Sequence, residues 1–316
     1  MVELLVGSGA GIYVPCEEGI TWSTERKGSP GQLQFKVVAG SSTFTEGDAV
    51  RMRVDGQNVF YGFVFKQKRE RDNIVTVTAY DQLRYLKNKD TYVYENKTAS
   101  QLIQMIAGDF RLNLGTIEST GFNIESRIEE NTSLFDMIQN ALDLTLQNTK
   151  ALYVLYDDAG RLTLRSLGNM RINALISAET AENFDYESSI DGNTYNKIKL
   201  TYDNEKSGTR EVYIAQDGSN MNQWGVLQYF DTLKDDENGA AKANALLSLY
   251  NTKTRTLSIK NAFGDIRVRA GSLIPVMLNL GDISIQNYML VEKCKHEFKE
   301  SQHLMTLTLR GGEFVA

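Results

Sequence analysis

Two stretches of the chain more than two hundred residues apart carry the same signals in the same order, and this echo constrains the fold more than any other feature. The first runs Gly47-Asp48, an alternating strand over 49–54, the turn pair Asp55-Gly56, Tyr61-Gly62-Phe63-Val64, a charged tip over 66–72, then Val75-Thr76-Val77-Thr78. The second runs Gly271-Ser272, a strand over 273–278, a turn, Tyr288-Met289-Leu290-Val291, a charged tip, then Met305-Thr306-Leu307-Thr308. The spacings between matching positions are 224 (47 to 271), 227 (61 to 288) and 230 (75 to 305), so two small insertions reconcile the copies. Generic hairpins share such signals, and chance similarity is the competing reading. A true duplication predicts two related β-barrels, one near each end of the chain.

The pattern between and around the copies fills in the rest. Residues 32–37, 49–54, 59–65 and 74–80 read as strands, several with the strict apolar–polar alternation of a half-buried strand. Asp55-Gly56 is a hairpin signal. The period then changes. Thr98 and Gln101 have the spacing of a capping box, followed by Leu102, Ile103, Ile106, Ala107 and Phe110 at helical intervals. A second helix is predicted from Thr132 or Ser133, with Leu134, Ile138, Ala141, Leu142 and Thr145 on one face. A hairpin follows, 152–156 and 161–165 around Asp157-Asp158-Ala159-Gly160. Residues 197–202 and 210–214 read as two strands joined by a polar turn, and 239–250 as an alanine-rich helix preceded by the acidic Asp235-Asp236-Glu237. The predicted fold is mainly β with a smaller α+β part. Its domains are two related, tube-type β-barrels, the first over 1–90 and the second over 191–316 including the helix at 239–250, flanking a middle α+β domain over 91–190.

Composition narrows the function. A chain of 316 residues holds about two domains, or three small ones. With 41% hydrophobic and 23% charged residues it has enough apolar side chains for a sizeable core. Lys and Arg total 34 against 40 Asp and Glu, a net charge of −6, which lacks the basic footprint of a general nucleic-acid binder. The apolar stretch without charge between Arg269 and Asp282 is broken by Pro275 and is about half the ~20 residues of a membrane helix, so no membrane insertion is expected. The first residues lack the basic region of a secretory signal. The two cysteines, Cys16 and Cys294, form no disulfide framework and fit a reducing compartment of synthesis.

The residues that could carry chemistry have plainer readings. Gly7-Ser8-Gly9-Ala10-Gly11 places its third glycine one residue early for a dinucleotide loop and precedes an extended run, so a turn between strands is expected. Cys294, His296 and His303 lack a fourth ligand and fit no common zinc spacing. The acidic pairs Glu129-Glu130, Asp157-Asp158 and Asp235-Asp236 fit neither a glycosidase cleft nor a calcium loop. No serine nucleophile motif with a histidine is visible. Accordingly no catalytic, cofactor-binding or metal-binding residue is expected. The tip carrying Lys66, Lys68, Arg69 and Arg71 is partly offset by Glu70 and Asp72; it reads as a solvated hairpin end, or as a docking contact for an acidic surface.

Several runs resemble a known family. They are Phe60-Tyr61-Gly62-Phe63-Val64-Phe65, the segment from Val77 to Leu86 containing Tyr80-Asp81-Gln82-Leu83, and Asn96 to Ile103, with Ser133-Leu134-Phe135-Asp136, Tyr156 to Gly160, and Phe263 to Gly271. These runs, spread over nearly the whole chain, resemble the XkdQ/YqbQ-like proteins of Bacillus and Clostridium prophages; residues 1–14 match least. That family is similar to the baseplate hub proteins of contractile phage tails and tail-like bacteriocins, the superfamily of late control protein D. The resemblance implies a homotrimer whose two barrels per chain make a six-barrel ring. Its implied partners are the tail tube or a tube-initiator protein, a central spike protein, baseplate wedge proteins and the tape measure protein. Its implied place is the baseplate of the virion tail or bacteriocin particle, after synthesis in the host cytoplasm. Such a trimer would carry about −18, three times −6, and acids in its lumen would repel passing DNA. The rival reading from another class is a tail-associated cell-wall hydrolase or carbohydrate-binding module.

Overall fold

The computed structural model describes residues 1–7, 12–13, 19–38, 44–69, 73–204, 208–233, 238–280, 284–300 and 302–311. Its first half is built from β1 (Val2–Val6), β2 (Ile12–Tyr13), β3 (Ile20–Glu25), β4 (Gln32–Val38), β5 (Ala49–Val54), β6 (Gln57–Arg69) and β7 (Ile74–Tyr80). The alternation read in the sequence is the burial pattern: Leu33, Phe35 and Val37 of β4, Val50 and Met52 of β5, and Val77 and Ala79 of β7 face one core. Strand neighbours run in the order β3-β4-β7-β6-β5-β1.

The middle region follows. The strands β8 (Lys89–Thr98) and β10 (Asn123–Ser133) form an antiparallel pair, and β11 (Tyr153–Asp157), β12 (Leu162–Ser166) and β9 (Leu114–Ile117) form a three-stranded sheet. Two helices, α1 (Ala99–Asp109) and α2 (Leu134–Thr149), pack on them through Leu102, Ile103, Ile106, Leu134, Met137 and Ile138. Both start where the sequence signalled. Thr98 Oγ1 accepts from the Gln101 amide while Gln101 Oε1 accepts from the Thr98 amide, and Ser133 Oγ accepts from the Asp136 amide.

The second half repeats the first. Its strands are β13 (Ile176–Ser177), β14 (Ala181–Ser189), β18 (Thr254–Phe263), β19 (Leu273–Asn279), β20 (Ser284–Lys299) and β21 (Gln302–Arg310), with neighbours in the order β14-β18-β21-β20-β19-β13. This is the order of the first half, strand for strand. The register agrees as well. Phe63 faces Tyr80 and Val64 faces Ala79, a bulge follows, and Lys66 then faces Thr78; in the second half Leu290 faces Arg310 and Val291 faces Leu309, a bulge follows, and Lys293 faces Thr308. The spacings of 224, 227 and 230 read from the sequence are therefore spacings between equivalent pairs. Glycines with positive φ open both copies, Gly47 at 94° and Gly271 at 93°. Gly47 N–H donates to Val64 O at 2.8 Å and Gly271 N–H to Val291 O at 2.7 Å. One difference is the flanking strand: β1 is antiparallel to β5, whereas β13 is parallel to β19.

Two boundaries differ from the sequence reading. The strand β14 lies within the span assigned to the middle domain but pairs with β18 of the second half. The predicted strands at 197–202 and 210–214, and the helix at 239–250, do not join the second barrel. Instead β15 (Lys197–Asn204), β16 (Thr209–Gln216) and β17 (Gln228–Thr232) form their own sheet in the order β16-β15-β17. With α3 (Gly218–Trp224) and α4 (Gly239–Tyr250) they belong to a separate compact unit, 186–256, whose core is Ile198, Leu200, Ala215, Leu233, Ala243 and Leu246. The physical reason is local. This segment has enough alternating strand and helix face to close a small core by itself, so the barrel accepts it as an insertion between β14 and β18. The matching first-half strands, β3 and β4, are joined directly through residues 26–31.

Candidate functional site: a branching strand and the junction at Arg269

The repeat is completed inside the chain by β20, the longest described strand. Residues 284–290 pair with β19, as 57–63 of β6 pair with β5. Beyond the bulge, residues 293–298 pair with β21 on one side and with β3 on the other, so that Lys293 faces Glu25 and His296 faces Trp22. This pairing makes one continuous sheet of the two halves. It is reinforced where it begins: Arg26 N–H donates to Glu292 O at 3.0 Å, and its guanidinium makes two bonds to the Glu292 carboxylate, at 2.8 and 3.0 Å. The Arg26 side chain is 7% exposed, so this ion pair is held in a partly dry site where two parallel bonds fix the crossing point of the two halves. Lys293 Nζ reaches Glu25 at 3.2 Å.

The second constructed feature is the junction around Arg269, which joins both halves to the middle region. Its guanidinium lies 4.3 Å from the Tyr156 ring centre and 5.7 Å from that of Trp22, and its Nη2 donates to Asp157 O at 2.6 Å. Asp81 and Asp157 are both buried nearby. Asp81 caps the 3-10 turn Gln82–Lys87, accepting from the amides of Leu83 and Gly31 at 3.0 and 2.9 Å. Asp157 accepts from the Gly160 amide at 2.6 Å and holds the hairpin turn. Burial pushes both carboxyls above the usual range. For Asp81 the neighbouring Asp157 charge adds to this, while Arg269 pulls both back down. Removal from water outweighs the attraction here because neither carboxylate bonds the guanidinium directly.

The structure brings together three of the residues weighed in the sequence as metal ligands. His296 Nε2 lies 2.8 Å from Val268 O and 3.1 Å from Cys294 Sγ, and its Nδ1 lies 2.9 Å from His303 Nε2. The carbonyl can only accept, so His296 Nε2 carries the proton and Nδ1 accepts from His303. Both nitrogens of the buried ring are thereby occupied, and the ring stacks on Trp22 with centres 4.7 Å apart. Burial raises the Cys294 thiol far above its ordinary value and lowers His296 to about 3. Among the described residues no His, Cys, Asp and Glu group is arranged to hold a metal ion. These rings fill the seam between β3 and β20.

A pH prediction follows. The His296 pKa is lowered on folding, so between about 6.5 and 3 the unfolded chain binds more protons than the folded one, and stability drops as the pH falls through that window. The slope approaches about 1.4 kcal/mol per pH unit for a single site. Asp81 and Asp157 act in the opposite sense, because their pKa values are raised. The comparison is therefore with His296→Phe. In urea unfolding, the advantage of the wild type over this variant should shrink from pH 7 to pH 5. A constant advantage would mean that His296 is not held neutral by burial.

The remaining sequence candidates are dispersed. Glu129 is buried and bonds Arg127 Nε at 2.8 Å and Asn140, while Glu130 is exposed. Asp158 is exposed beside the buried Asp157. Asp235-Asp236, Ser8 to Gly11, Cys16 and Arg71 lie outside the described residues. Sequence reasoning missed Arg269 and the Arg26–Glu292 pair; single charged residues in polar surroundings leave no periodic signal. The one available clue was position, since Arg269 stands two residues before the glycine that opens the second copy.

The sequence pattern of the YQBQ-like family matches residues 20–310. The chain is 30% identical to the uncharacterized protein YqbQ of Bacillus subtilis (strain 168), over 97% of this chain and 96% of that protein. It is 31% identical to the phage-like element PBSX protein XkdQ of the same organism, with the same coverage. Among solved structures, the 43 kDa tail protein of prophage MuSo2 from Shewanella oneidensis has a similar fold, with a TM-score of 0.71 at 12% identity, covering 97% of this chain and 98% of that one.

Proposed function

Because the chain belongs to the YQBQ-like family, we propose that it is a structural baseplate hub of a contractile phage tail or tail-like bacteriocin. In this reading it is a homotrimeric adaptor between a six-fold tail tube and a three-fold central spike. The observation that carries the reading is the internal repeat: two halves with one strand order, one bulge position and one opening glycine. Three chains with two similar units each present six similar surfaces to a tube, or a tube-initiator protein, while keeping true three-fold symmetry for a spike. Parts found once per chain, the middle region and the unit 186–256, suit partners with the lower symmetry, including wedge proteins, and the tape measure protein is a further partner. The role is architectural. Among the described residues, three buried groups that could do chemistry make structural hydrogen bonds: Asp81 and Asp157 in turns, His296 in the seam.

The test is an image of the assembled particle. Three copies at the junction of tube and spike are expected. One, two or six copies there, or a location at the sheath or fibres, would overturn the reading.

A further inference from the structure

The small sheet of the unit 186–256 has two faces of different character. Its pairing, β16 and β17 on either side of β15, settles which side chains share a face. One face carries Ile198, Leu200 and Ala215 and is closed by α4 through Ala243 and Leu246. On the other face two rows cross the sheet, Ile214–Lys199–Phe230 and Val212–Thr201–Thr232. Its large apolar side chains stand in solvent: Val212 is 48% exposed, Ile214 54% and Phe230 57%. Folded proteins rarely leave such side chains grouped in the open unless the patch is a contact surface.

We propose that this face docks an acidic amphipathic α-helix of a partner protein. Shape favours a helix. Neighbouring strands are about 4.8 Å apart, so the outer strands of a three-stranded sheet stand about 10 Å from each other, the width of one helix. Ile214 and Val212 line one side and Phe230 the other. Between them the buried Thr201 forms the floor, its hydroxyl 3.4 Å from that of Thr232. The packing of α4 shows that a helix fits this sheet from the opposite side. Charge favours an acidic one. Lys199 stands in the middle of the apolar row, and Lys197 follows on the same strand and face. Among the described residues neither lysine has an ion-pair partner, and the one carboxylate on the face, Asp203, is held by two bonds from Arg210 at 2.6 and 2.9 Å. A purely apolar partner would bury Lys199 unpaired, which is costly, whereas a carboxylate beside the partner's apolar stripe pairs it. A second copy of the same face would set lysine against lysine. A helix with apolar side chains at i, i+3 or i+4 and i+7, and Asp or Glu within that stripe, meets both demands. The contact goes beyond the adaptor reading: it needs the chain to be a tail component, at any copy number.

The experiment uses the full chain, produced together with the other tail proteins. Phe230→p-benzoylphenylalanine keeps an aromatic ring at an exposed position and makes it photoreactive. Irradiated particles should show position 230 joined to one segment of another protein, and sequencing of the linked peptide should show the apolar and acidic pattern above. Lys199→Glu in the same chain should lower the linked fraction by about tenfold or more, and changing the facing Asp or Glu of the linked segment to Lys should restore it. A measurement on the wild type does not depend on how any variant folds. Acetylation of Lys199 by N-hydroxysuccinimidyl acetate should be about fivefold or more slower in particles than in the free chain, because a covered ammonium is both shielded and paired. Equal acetylation in the two states would overturn the docking. Linkage to a second copy of this chain, or to a basic or non-helical segment, would overturn the choice of partner. So would binding of the free chain to phosphatidylglycerol vesicles that Lys199→Glu abolishes. A copy number other than three in the same particles would overturn the adaptor reading alone, and particles without the chain would overturn both.

Discussion

Gly271→Ala should destabilise the protein by about 2–5 kcal/mol, and the matching Gly47→Ala by only about 1–2 kcal/mol. Both glycines have φ near +94°, at 94° and 93°, a conformation in which a Cβ is strained. Both also stand at the same point of the repeat, each followed by a residue whose carbonyl accepts from the barrel strand, Asp48 from Val64 and Ser272 from Val291, at 2.9 Å in both cases. The backbone cost should therefore be similar. The surroundings differ. A Cβ on Gly47 would meet open space, whereas one on Gly271 would overlap Val154 Cγ1. Val154 cannot swing away, because it is buried in a cluster with Leu167, Met170, Leu273 and Leu290. The difference between the two substitutions in urea unfolding measures how tightly the middle region is pressed against the second half. Equal losses would show that this contact yields.

The second large effect is expected at Arg269. Arg269→Met keeps most of the side chain's volume and removes its charge. At pH 7 the loss should be about 3–5 kcal/mol, the range for breaking one side of a buried charged arrangement. Three contributions vanish together: the stacking on Tyr156 and Trp22, the bond to Asp157 O, and the positive charge that draws down the carboxyls of Asp81 and Asp157. The third makes the effect depend on pH. Both carboxyls have raised folded pKa values, so ionising them costs stability as the pH climbs from the ordinary carboxylate range towards those values, and without Arg269 that cost grows. The penalty of the variant should accordingly be smaller at pH 5 than at pH 7. Arg269→Lys should recover only part of the loss, since an ammonium lacks the flat guanidinium face that stacks between two rings. A loss below about 1 kcal/mol at pH 7 would mean that solvent already screens the site.

Much of this architecture is written locally. The strands β4, β5 and β7 are legible because burial on one face imposes a period of two, and α1 and α2 because Thr98, Gln101 and Ser133 sit where the first free amides need acceptors. The duplication is legible for the same reason. A bulge and a positive-φ glycine demand particular residues at fixed spacing, so their positions survive when the intervening side chains have changed. The strand β14 was not legible: its residues are mostly exposed and polar, and a strand without a buried face has no alternation to read. Nor could the sequence show that residues 197–250 leave the barrel. Their pattern of strands and helix suits either arrangement until a core is counted.

By itself the sequence determined the kinds of element and the repeat, because these depend on short-range spacing and on backbone geometry that few residues can supply; the family was legible only as a resemblance of particular runs of residues. Hairpin neighbours are read from their turns, and only the tertiary structure decided which strands become neighbours across long stretches of chain. The pairing of β3 with β20 links residues 20–25 to residues 293–298, and nothing within either strand names its partner. The same holds for Arg269, whose burial is set by three segments distant in the chain. Hydrogen-bonding edges are alike along every strand. What selects among them is the close packing of side chains such as Trp22 on His296, and that exists only once the chain is folded.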